Sequence, residues 1–448
     1  MELPKGWVES SIAKIAYVLQ GYVFPKDRQG KSSGKYPVYK VGDISNSLQQ
    51  GDVYLTSSKN YIDDDDLLNL KAKLLPAKTV VMAKIGEAIK LNRRAILSTD
   101  ALIDNNVVGI KAKVGINDKY LYYFYLTVKL GDISQATTVP SVRKIDIENM
   151  SIKIPPLAEQ HRIVEKIDAL FSELDKGVEI LQTVKEQLRT YRQSVLKWVF
   201  SWELFSGQRE LKFIEQQLKN VCFSIVDGDH QAPPQKDSGI PFLVISNINK
   251  MVIDFSDTRF VSKEYYDGLN DKRKANIGDI LYSVTGSFGI PALVSNNTKF
   301  CFQRHIALLK PDKVISKYLF YILQTPQVYI QAKEIATGTA QMTVPIKGLR
   351  EIKIPVPVNK EEQQQIVKEI ESRLSVCDKL EQLVDENLAK ADALRQSILK
   401  KAFEGRLVPQ DPNDEPAEML LERIKAERAA ADQRMKQQKS VKRSKKNG

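Results

Sequence analysis

The amino-acid sequence predicts an α+β protein in which two similar α+β domains alternate with two long helices. Three observations predict this fold class. The segment Ile-Lys-Ile-Pro at 152–155 returns at 352–355, an offset of 200 residues. The segment Arg-Gln-Ser-Val-Leu-Lys at 192–197 returns as Arg-Gln-Ser-Ile-Leu-Lys at 395–400, an offset of 203. Between these matches, apolar residues recur at steps of three and four, which is typical of long amphipathic helices.

The repeat divides the chain into five parts. We predict a first globular domain at 1–157 and a first helix at 158–206. A second domain follows at 207–357 and a second helix at 358–405. The remaining residues, 406–448, are predicted to form a C-terminal extension with a short helix and a basic tail without regular structure. Two similar domains joined by two similar helices suggest a partner with its own approximate two-fold symmetry, such as duplex DNA.

The first domain reads as strands separated by turn residues. Its β-branched and aromatic runs lie at 36–41, 79–82 and 107–111. Residues 119–124 form an aromatic run typical of a buried helix, and they recur at 317–322. Most surface residues of the two domains differ, and this pattern is typical of one fold that recognises two different targets.

The two helical segments carry one apolar stripe each. Neither stripe can stay exposed, and the intervening domain must return the chain, so we predict an antiparallel coiled coil with pseudo-two-fold symmetry. We expect the first helix to begin at Glu159, after Pro155 and Pro156. The stripe residues that we assign to helix packing or subunit docking are Ile163, Ile167, Leu174, Leu181, Leu188, Tyr191, Ile366, Ile370, Leu380, Leu394 and Ile398.

Composition limits the class of protein. The 448 residues are 42% hydrophobic and 27% charged, which suits large buried cores. No apolar run approaches the roughly 20 residues that cross a bilayer. The three cysteines are far apart and lack metal-ligand spacing, so we expect a reducing cytoplasm and no zinc site.

The net charge of +12 invites a nucleic-acid interpretation, but half of it is local. Residues 431–448 hold seven basic residues against one aspartate, which gives +6. That tail is expected to be solvated and to add weak phosphate contacts. The rest of the chain is only mildly basic.

Motifs for catalysis are incomplete. Gly30-Lys31-Ser32 resembles the end of a phosphate-binding loop, but Pro25 stands where the first glycine belongs. The aspartates at 63–66 are expected to start a solvated helix rather than to hold a metal. The segment 227–230, Asp-Gly-Asp-His, is expected to be a glycine turn in a binding loop. The methyltransferase motif Asn-Pro-Pro-aromatic does not occur, so the sequence favours a binding protein.

Three segments carry a family resemblance. They are Leu-Pro-Lys-Gly-Trp at 3–7, Ile-Pro-Pro-Leu-Ala-Glu-Gln-His-Arg-Ile-Val at 154–164, and Lys-Ala-Phe-Glu-Gly-Arg-Leu-Val-Pro-Gln at 401–410, which precedes 411–417. In this order, and with the alternation of domain and helix along nearly the whole chain, the sequence resembles the specificity subunits of type I restriction–modification enzymes.

The resemblance implies a function. Each domain would be a target-recognition domain that reads one half of a split DNA sequence, and the helices would set the spacing and dock two methyltransferase subunits. Restriction or motor subunits would join the complex to cleave. S-adenosylmethionine, ATP and magnesium would bind to the partner subunits, and this chain would bind no cofactor and catalyse nothing alone. Residues 198–205, which end the first helix differently from the second, imply docking surfaces that are not identical.

Polar loops are the candidates for DNA contact. The segments 81–90 and 281–290 align as a strand that leads into a glycine loop, and a second polar loop precedes each Ile-Lys-Ile-Pro. We interpret Asn92-Arg93-Arg94 and Gln303-Arg304-His305 as loosely comparable. The candidate DNA-binding residues are Lys84, Gly86, Lys90, Asn92, Arg93, Arg94, Thr137, Ser141, Arg143, Ser283, Thr285, Ser287, Gln303, Arg304, His305, Thr339 and Gln341.

Two alternatives stay open at this stage. One is a coiled-coil DNA-binding regulator or scaffold outside a restriction system, which co-purification with a methyltransferase would discriminate. An intrinsic enzyme is the other, and the missing cofactor motifs count against it.

Overall fold

The computed structural model describes residues 3–134, 140–200, 213–231, 233–248, 251–339 and 341–444. The chain divides into two compact units. Unit 1 comprises Met1–Glu179 and Leu388–Gly448, and unit 2 comprises Ile180–Asn387. The boundaries therefore cut through both long helices rather than falling at the domain–helix junctions that the sequence suggests.

The elements of the first repeat alternate short strands and short helices before one long helix. In chain order they are β1 (Val8–Ser11), α1 (Ile12–Ile15), β2 (Ala16–Gln20), β3 (Tyr36–Tyr39), α2 (Val41–Gln49), β4 (Tyr54–Leu55), β5 (Tyr61–Ile62), α3 (Asp64–Asn69), β6 (Val80–Ala83), β7 (Arg94–Leu97), β8 (Leu102–Ile103), β9 (Val107–Ala112), α4 (Asp118–Thr127), α5 (Lys144–Glu148), β10 (Ser151–Ile154) and α6 (Leu157–Phe200).

The second repeat follows a similar order, and one further helix ends the chain. Its elements are β11 (Phe213–Gln217), α7 (Leu218–Val221), β12 (Cys222–Asp227), β13 (Ile240–Leu243), β14 (Arg259–Val261), α8 (Lys263–Asp267), β15 (Ile280–Ser283), β16 (Pro291–Leu293), β17 (Cys301–Phe302), β18 (Ile306–Pro311), α9 (Ser316–Ile322), α10 (Pro326–Ile335), α11 (Ile346–Glu351), β19 (Lys353–Pro357), α12 (Lys360–Phe403) and α13 (Ala417–Ser444). The described residues of this repeat lack counterparts of α2 and β4 and include an added helix, α10.

Strand pairing repeats between the units. Unit 1 has sheets of order β2-β9-β6-β7-β4, β5-β3-β8 and β1-β10, and unit 2 has β12-β18-β15-β16, β14-β13-β17 and β11-β19. A parallel contact also recurs, because β3 pairs with β8 in parallel and β13 pairs with β17 in parallel, whereas the parallel pair of β4 with β7 occurs in unit 1 alone among the described strands. The prediction of two similar α+β domains is confirmed.

The central strand of each larger sheet explains the continuous apolar runs in the sequence. Val80 and Met82 of β6 point into a core with α4, while Val81 points into a core on the other face with α2. In unit 2, Ile280 of β15 likewise points into the core that contains α9, and Leu281 points into the core on the other face of the sheet. Because successive side chains alternate between faces, a strand covered on both faces is apolar throughout.

The long helices pair antiparallel inside each unit. In unit 2, Lys185 pairs with Asp385 at 2.7 Å and Arg192 with Glu381 at 2.8 Å, so one helix rises in number as the other falls. Unit 1 pairs Asp175 with Arg395. The predicted antiparallel coiled coil is confirmed, although α6 begins at Leu157, two residues before the predicted Glu159.

Residues near the start of the described chain contact the beginnings of α6 and α13 in unit 1. The Trp7 indole Nε1 donates to Glu159 at 3.0 Å, and the Ala417 backbone N–H donates to the carbonyl oxygen of Gly6 at 2.9 Å. Arg162 pairs with Asp414 at 2.6 Å. The segments 3–7, 154–164 and 401–417, which carry the family resemblance, thus form one packed region.

Helix α13 extends further than the sequence predicts. It reaches Ser444, although residues 431–448 were expected to lack regular structure. Ala, Arg, Lys, Gln and Glu dominate this segment, and all have high helix propensity, which an argument from charge alone neglects. None of the described helices combines the length and the apolar character needed to cross a membrane.

The aspartates at 63–66 start a helix, as predicted. Asp63 and Asp66 form a capping box at the N-terminus of α3. The cations Arg28, Lys31 and Lys35 pair with this segment. Among the described residues, no group of three or more His, Cys, Asp or Glu side chains is arranged to hold a metal.

Candidate nucleic-acid interface

Three polar loops meet in each unit. We define loop cluster 1 as residues 84–90, 104–106 and 140–143 of unit 1. Loop cluster 2 comprises residues 284–290, 303–305 and 341–343 of unit 2. Each cluster lies where strands of its larger sheet end, so the loops are fixed by a buried scaffold while their tips face solvent.

Backbone hydrogen bonds hold loop cluster 1 together. The Lys84 N–H donates to the Asn106 carbonyl at 2.9 Å, and the Val142 N–H donates to the Lys84 carbonyl at 2.9 Å. The Gly86 N–H donates to the Pro140 carbonyl at 2.7 Å. Gly86 has φ +84°, which a residue with a Cβ rarely adopts.

Loop cluster 2 repeats this network bond for bond. The Val284 N–H donates to the His305 carbonyl at 2.9 Å, and the Val344 N–H donates to the Val284 carbonyl at 2.7 Å. The Gly286 N–H donates to the Met342 carbonyl at 2.8 Å, with Gly286 at φ +68°. The two glycine loops that the sequence aligned therefore occupy equivalent positions.

One sequence-based equivalence is wrong. Gln303-Arg304-His305 corresponds to Asp104-Asn105-Asn106, because both form the turn between a two-residue strand and the long strand after it. Asn92-Arg93-Arg94 instead leads into β7, whose counterpart is β16. The turn at 104–106 carried a signal that the sequence analysis missed: two apolar residues, three polar ones and a long apolar run, spaced as at 301–306.

Arg94 is not a surface residue. Its side chain is only 1% exposed, and its guanidinium donates to the carbonyls of Arg93 at 2.9 Å and Val128 at 3.2 Å and to the Asn92 side chain at 2.5 Å. Burial lowers the pKa of Arg94 to about 10. Arg94 therefore braces unit 1 and is not available to DNA, whereas Asn92, which accepts one of its hydrogen bonds, is partly exposed.

Ser283 and Thr285 are also buried. The Ser283 hydroxyl donates to the Ser287 carbonyl at 2.8 Å and accepts from the Ile290 N–H at 2.9 Å. Thr343 donates its hydroxyl to that of Thr285 at 3.3 Å. Ser283 and Thr285 therefore stabilise the glycine loop from its buried side. The exposed candidate at the tip of this loop is Ser287.

The remaining described DNA-binding candidates of unit 1 are exposed or partly exposed. Lys90 is exposed and pairs with Glu87 at 2.8 Å, and Arg143 is exposed and pairs with Asp146 at 2.8 Å. Lys84 is half-buried, and burial lowers its pKa against the opposing effect of Asp104. Arg93 and Ser141 are partly exposed, and Thr137 lies outside the described residues.

The remaining candidates of unit 2 gather around one turn. Arg304 is exposed, and its Nε donates to His305 at 3.4 Å. Burial, together with the Arg304 charge, lowers the pKa of His305, so the ring accepts this bond as a neutral imidazole. Gln303 is partly exposed, and Thr339 and Gln341 are exposed on the neighbouring loop.

A fourth segment joins loop cluster 2. The predicted glycine turn at 227–230 is not formed: Asp227 ends β12, Asp229 forms an isolated parallel bridge with Gln303, and a Cβ at Gly228 would stand 2.0 Å from the Phe302 carbonyl oxygen. The Asp229 carboxylate pairs with Arg273 at 3.1 Å, and His230 contacts Asp227 at 2.9 Å. In unit 1 the equivalent glycine is Gly21, which approaches the Asp104 carbonyl.

The helix candidates separate into two groups. Ile163, Ile167, Leu188, Ile366, Ile370 and Ile398 are buried within their own unit. These six residues stabilise the chain itself and cannot dock a partner. Tyr191, Leu380 and Leu394 are 44%, 43% and 49% exposed, and Leu174 and Leu181 are partly buried. The helix end at 198–205 lies outside the described side chains.

Known proteins that resemble this chain match it over nearly its full length. The family described as the type I restriction modification DNA specificity domain matches residues 4–187 and 230–388. The chain is 24% identical to the EcoBI specificity subunit of Escherichia coli over 96% of this chain and 94% of that protein. It is also 24% identical to the EcoKI specificity subunit of Escherichia coli K12, over 96% and 97%.

Solved structures share the fold. One solved structure, which concerns complex assembly and conformational transition of the type I R-M system, contains a similar chain. Its TM-score is 0.70 at 21% identity, and the match covers 91% of this chain and all of that one. The HsdS subunit from Thermoanaerobacter tengcongensis has a TM-score of 0.52 at 21% identity, covering 91% of this chain and 99% of that one.

Proposed function

This chain belongs to the type I restriction modification DNA specificity family, and we propose that it selects the DNA target of a type I restriction–modification complex. Each globular domain reads one half of a bipartite duplex sequence. The helical pair sets the distance between the half-sites and docks the methyltransferase subunits.

The repeated loop clusters carry this proposal. Their backbone hydrogen bonds are the same in both units, whereas their exposed side chains differ in charge and shape. A protein that reads two different half-sites needs this combination: one scaffold that presents loops to a groove, and two sets of side chains that contact base edges.

The exposed apolar residues on the helices support a docking role. In unit 2, Tyr191 and Leu380 are exposed, and Ile180, Val376 and Leu383 are each more than half exposed, while Leu394 is exposed on the part of the second helix that belongs to unit 1. Exposed apolar side chains in this number mark a surface that a partner covers. We assign two methyltransferase subunits to this surface, with restriction subunits joining them.

The chain acts as a non-catalytic subunit under this proposal. S-adenosylmethionine, ATP and magnesium are bound by its partners. The regulator or scaffold alternative gains no support from the loop clusters, because one set of loops would suffice for a single uninterrupted site.

Purification and methylation mapping test the proposal. The tagged chain should retain an adenine methyltransferase when purified from its native cells. DNA exposed to that complex should carry methyl groups at a motif of two fixed half-sites and an unspecified gap. The isolated chain should transfer no methyl group. Methylation of one uninterrupted motif, or a chain that never retains a methyltransferase, contradicts the proposal.

A further inference from the structure

The turns at 104–107 and 303–306 have the same backbone but opposite chemistry at their tips. In each, the fourth residue donates its N–H to the carbonyl of the first, from Val107 to Asp104 at 3.0 Å and from Ile306 to Gln303 at 3.0 Å. The second residue of each turn is exposed, Asn105 in unit 1 and Arg304 in unit 2.

Both turns are anchored on either side. The first residue of each donates its N–H to the end of the neighbouring strand, from Asp104 to Tyr39 at 3.0 Å and from Gln303 to Leu243 at 3.1 Å. The third residue accepts from the glycine loop, as described for Asn106 and His305. A turn fixed at three points holds the backbone of its tip residue in one conformation, which limits the backbone entropy that binding must remove.

The tip of the unit 2 turn has additional support. The Arg304 N–H donates to the Asp229 carbonyl at 3.0 Å. The Asp229 carboxylate is paired with Arg273 and hydrogen-bonded by the Tyr265 hydroxyl. Within the described part of the chain, no carboxylate lies within ion-pair distance of Arg304.

Asn105 is similarly free to bind. Its side chain makes no hydrogen bond to any other described residue, and it is exposed at the tip of its turn. Neither tip residue packs in a core, so the fold does not account for the choice of Asn in one unit and Arg in the other.

We infer that these turn tips are base-reading residues, with Arg304 reading a guanine in the second half-site and Asn105 an adenine in the first. The inference rests on the proposed function and specifies its chemistry. The guanidinium fork donates two parallel hydrogen bonds to guanine O6 and N7 in the major groove. The amide of Asn donates to adenine N7 and accepts from adenine N6.

The test uses the assembled complex with its methyltransferase and maps methylated sites genome-wide. Arg304→Ala should relax one G·C position of the second half-site, with discrimination at that base pair falling by about 5- to 150-fold, and should leave the first half-site unchanged. Asn105→Ala should relax one A·T position of the first half-site only. Arg259→Ala is the matched control, because Arg259 is an exposed arginine of unit 2 on β14, the far edge of its three-stranded sheet.

Arg304→Lys separates a base contact from a phosphate contact. Lysine keeps the charge but cannot form the planar fork, so discrimination should fall while the salt dependence of DNA binding stays unchanged. If Arg304→Ala instead weakens binding to all sequences equally and Arg304→Lys restores that binding, Arg304 is a phosphate contact and the inference is overturned. It is also overturned if the relaxed position is A·T.

If the proposed function itself is wrong, methylation mapping gives a different result from the one expected if only the turn-tip inference is wrong. In that case the wild-type complex itself would show no bipartite motif. Because both tip side chains are exposed, the thermal midpoints of all four variants should stay within about 2 °C of the parent, which confirms that recognition, not folding, has changed.

Discussion

The side-chain oxygen of Gln160 accepts a hydrogen bond from the backbone N–H of Asn117 at 2.9 Å. Gln160 lies in the first turn of α6, and Asn117 caps α4. The same bond recurs in unit 2, where Gln363 accepts from the Ile315 N–H at 2.9 Å. One glutamine in each repeat thus ties the domain to the long helix that follows it.

Truncating either glutamine should destabilise its own unit. Gln160→Ala and Gln363→Ala each leave a partly buried backbone N–H without its acceptor, at a cost of about 1–3 kcal/mol. Gln193→Ala, at an exposed position of α6, should cost less than about 0.5 kcal/mol. Urea unfolding followed by circular dichroism measures the difference, and equal midpoints for Gln160→Ala and Gln193→Ala would contradict this role.

Arg94 should matter for stability and Arg93 should not. Arg94→Ala removes a buried guanidinium that satisfies two carbonyl groups, and we expect a loss of about 2–3 kcal/mol in the free energy of unfolding. Arg93→Ala, one position earlier and partly exposed, should stay within about 0.5 kcal/mol of the parent. Thermal melting compares the two, and a neutral Arg94→Ala variant would return this residue to the candidate interface.

Two equivalent glycines should tolerate no side chain. A Cβ at Gly21 or Gly228 would lie 1.8 Å or 2.0 Å from a backbone carbonyl oxygen, so Ala at either position must displace the local backbone. We expect each variant to lose more than about 2 kcal/mol and to lose recognition of its own half-site first. Gly177→Ala is the control, since nothing lies within 4 Å of its Cβ and the helix should gain about 0.5–1 kcal/mol.

Stability should depend on pH through Glu159. Burial raises the pKa of Glu159 above its ordinary value of 4.5, although the Trp7 hydrogen bond opposes this. The folded state therefore binds more protons than the unfolded state above pH 4.5, and this contribution to stability is lost as pH rises through the raised pKa. Glu159→Gln keeps an acceptor for Trp7 without the charge, so its advantage over the parent should grow from pH 4.5 to pH 8. Urea midpoints at both pH values measure this, and an advantage that shrinks with pH would exclude the explanation.

Shortening both helices together should change the spacing of the DNA target. Ion pairs between α6 and α12 join residues whose numbers add to 570, as in 185 with 385 and 192 with 378. Deleting 178–184 together with 386–392 preserves that register and removes about 10 Å of each helix, equal to roughly three base pairs of rise. Methylation mapping should show unchanged half-sites with a shorter gap. Deleting 178–184 alone should disrupt the pairing and the fold, and an unchanged gap after the double deletion would show that the helices do not set the spacing.

The sequence predicted the parts of the fold that depend on periodicity and repetition. The offset of 203 residues runs without a gap through Gln160 and Gln363, because any insertion there would rotate the glutamine away from its acceptor. The antiparallel helices followed from the apolar stripe for a similar reason. Such patterns are local in sequence and directly visible.

The candidate interface was predicted less well because burial of polar residues depends on distant partners. Arg94 looks like a surface residue until Val128 supplies a carbonyl 34 positions away. Ser283 and Thr285 were misjudged for the same reason. Asn105 is not among the predicted interface residues because 104–106 and 303–305 share polar character but no identical residue, and the flanking apolar residues carry the match.

Because main-chain hydrogen bonds hold the loop clusters together, selection for a stable fold and selection for a particular DNA sequence act on different residues. A substitution at a turn tip leaves the Lys84–Asn106 and Val284–His305 backbone bonds intact, because neither bond uses a side chain. Tip residues can therefore accumulate mutations without lowering the abundance of folded protein, and lineages can diverge in the DNA that they mark while inheriting the same scaffold.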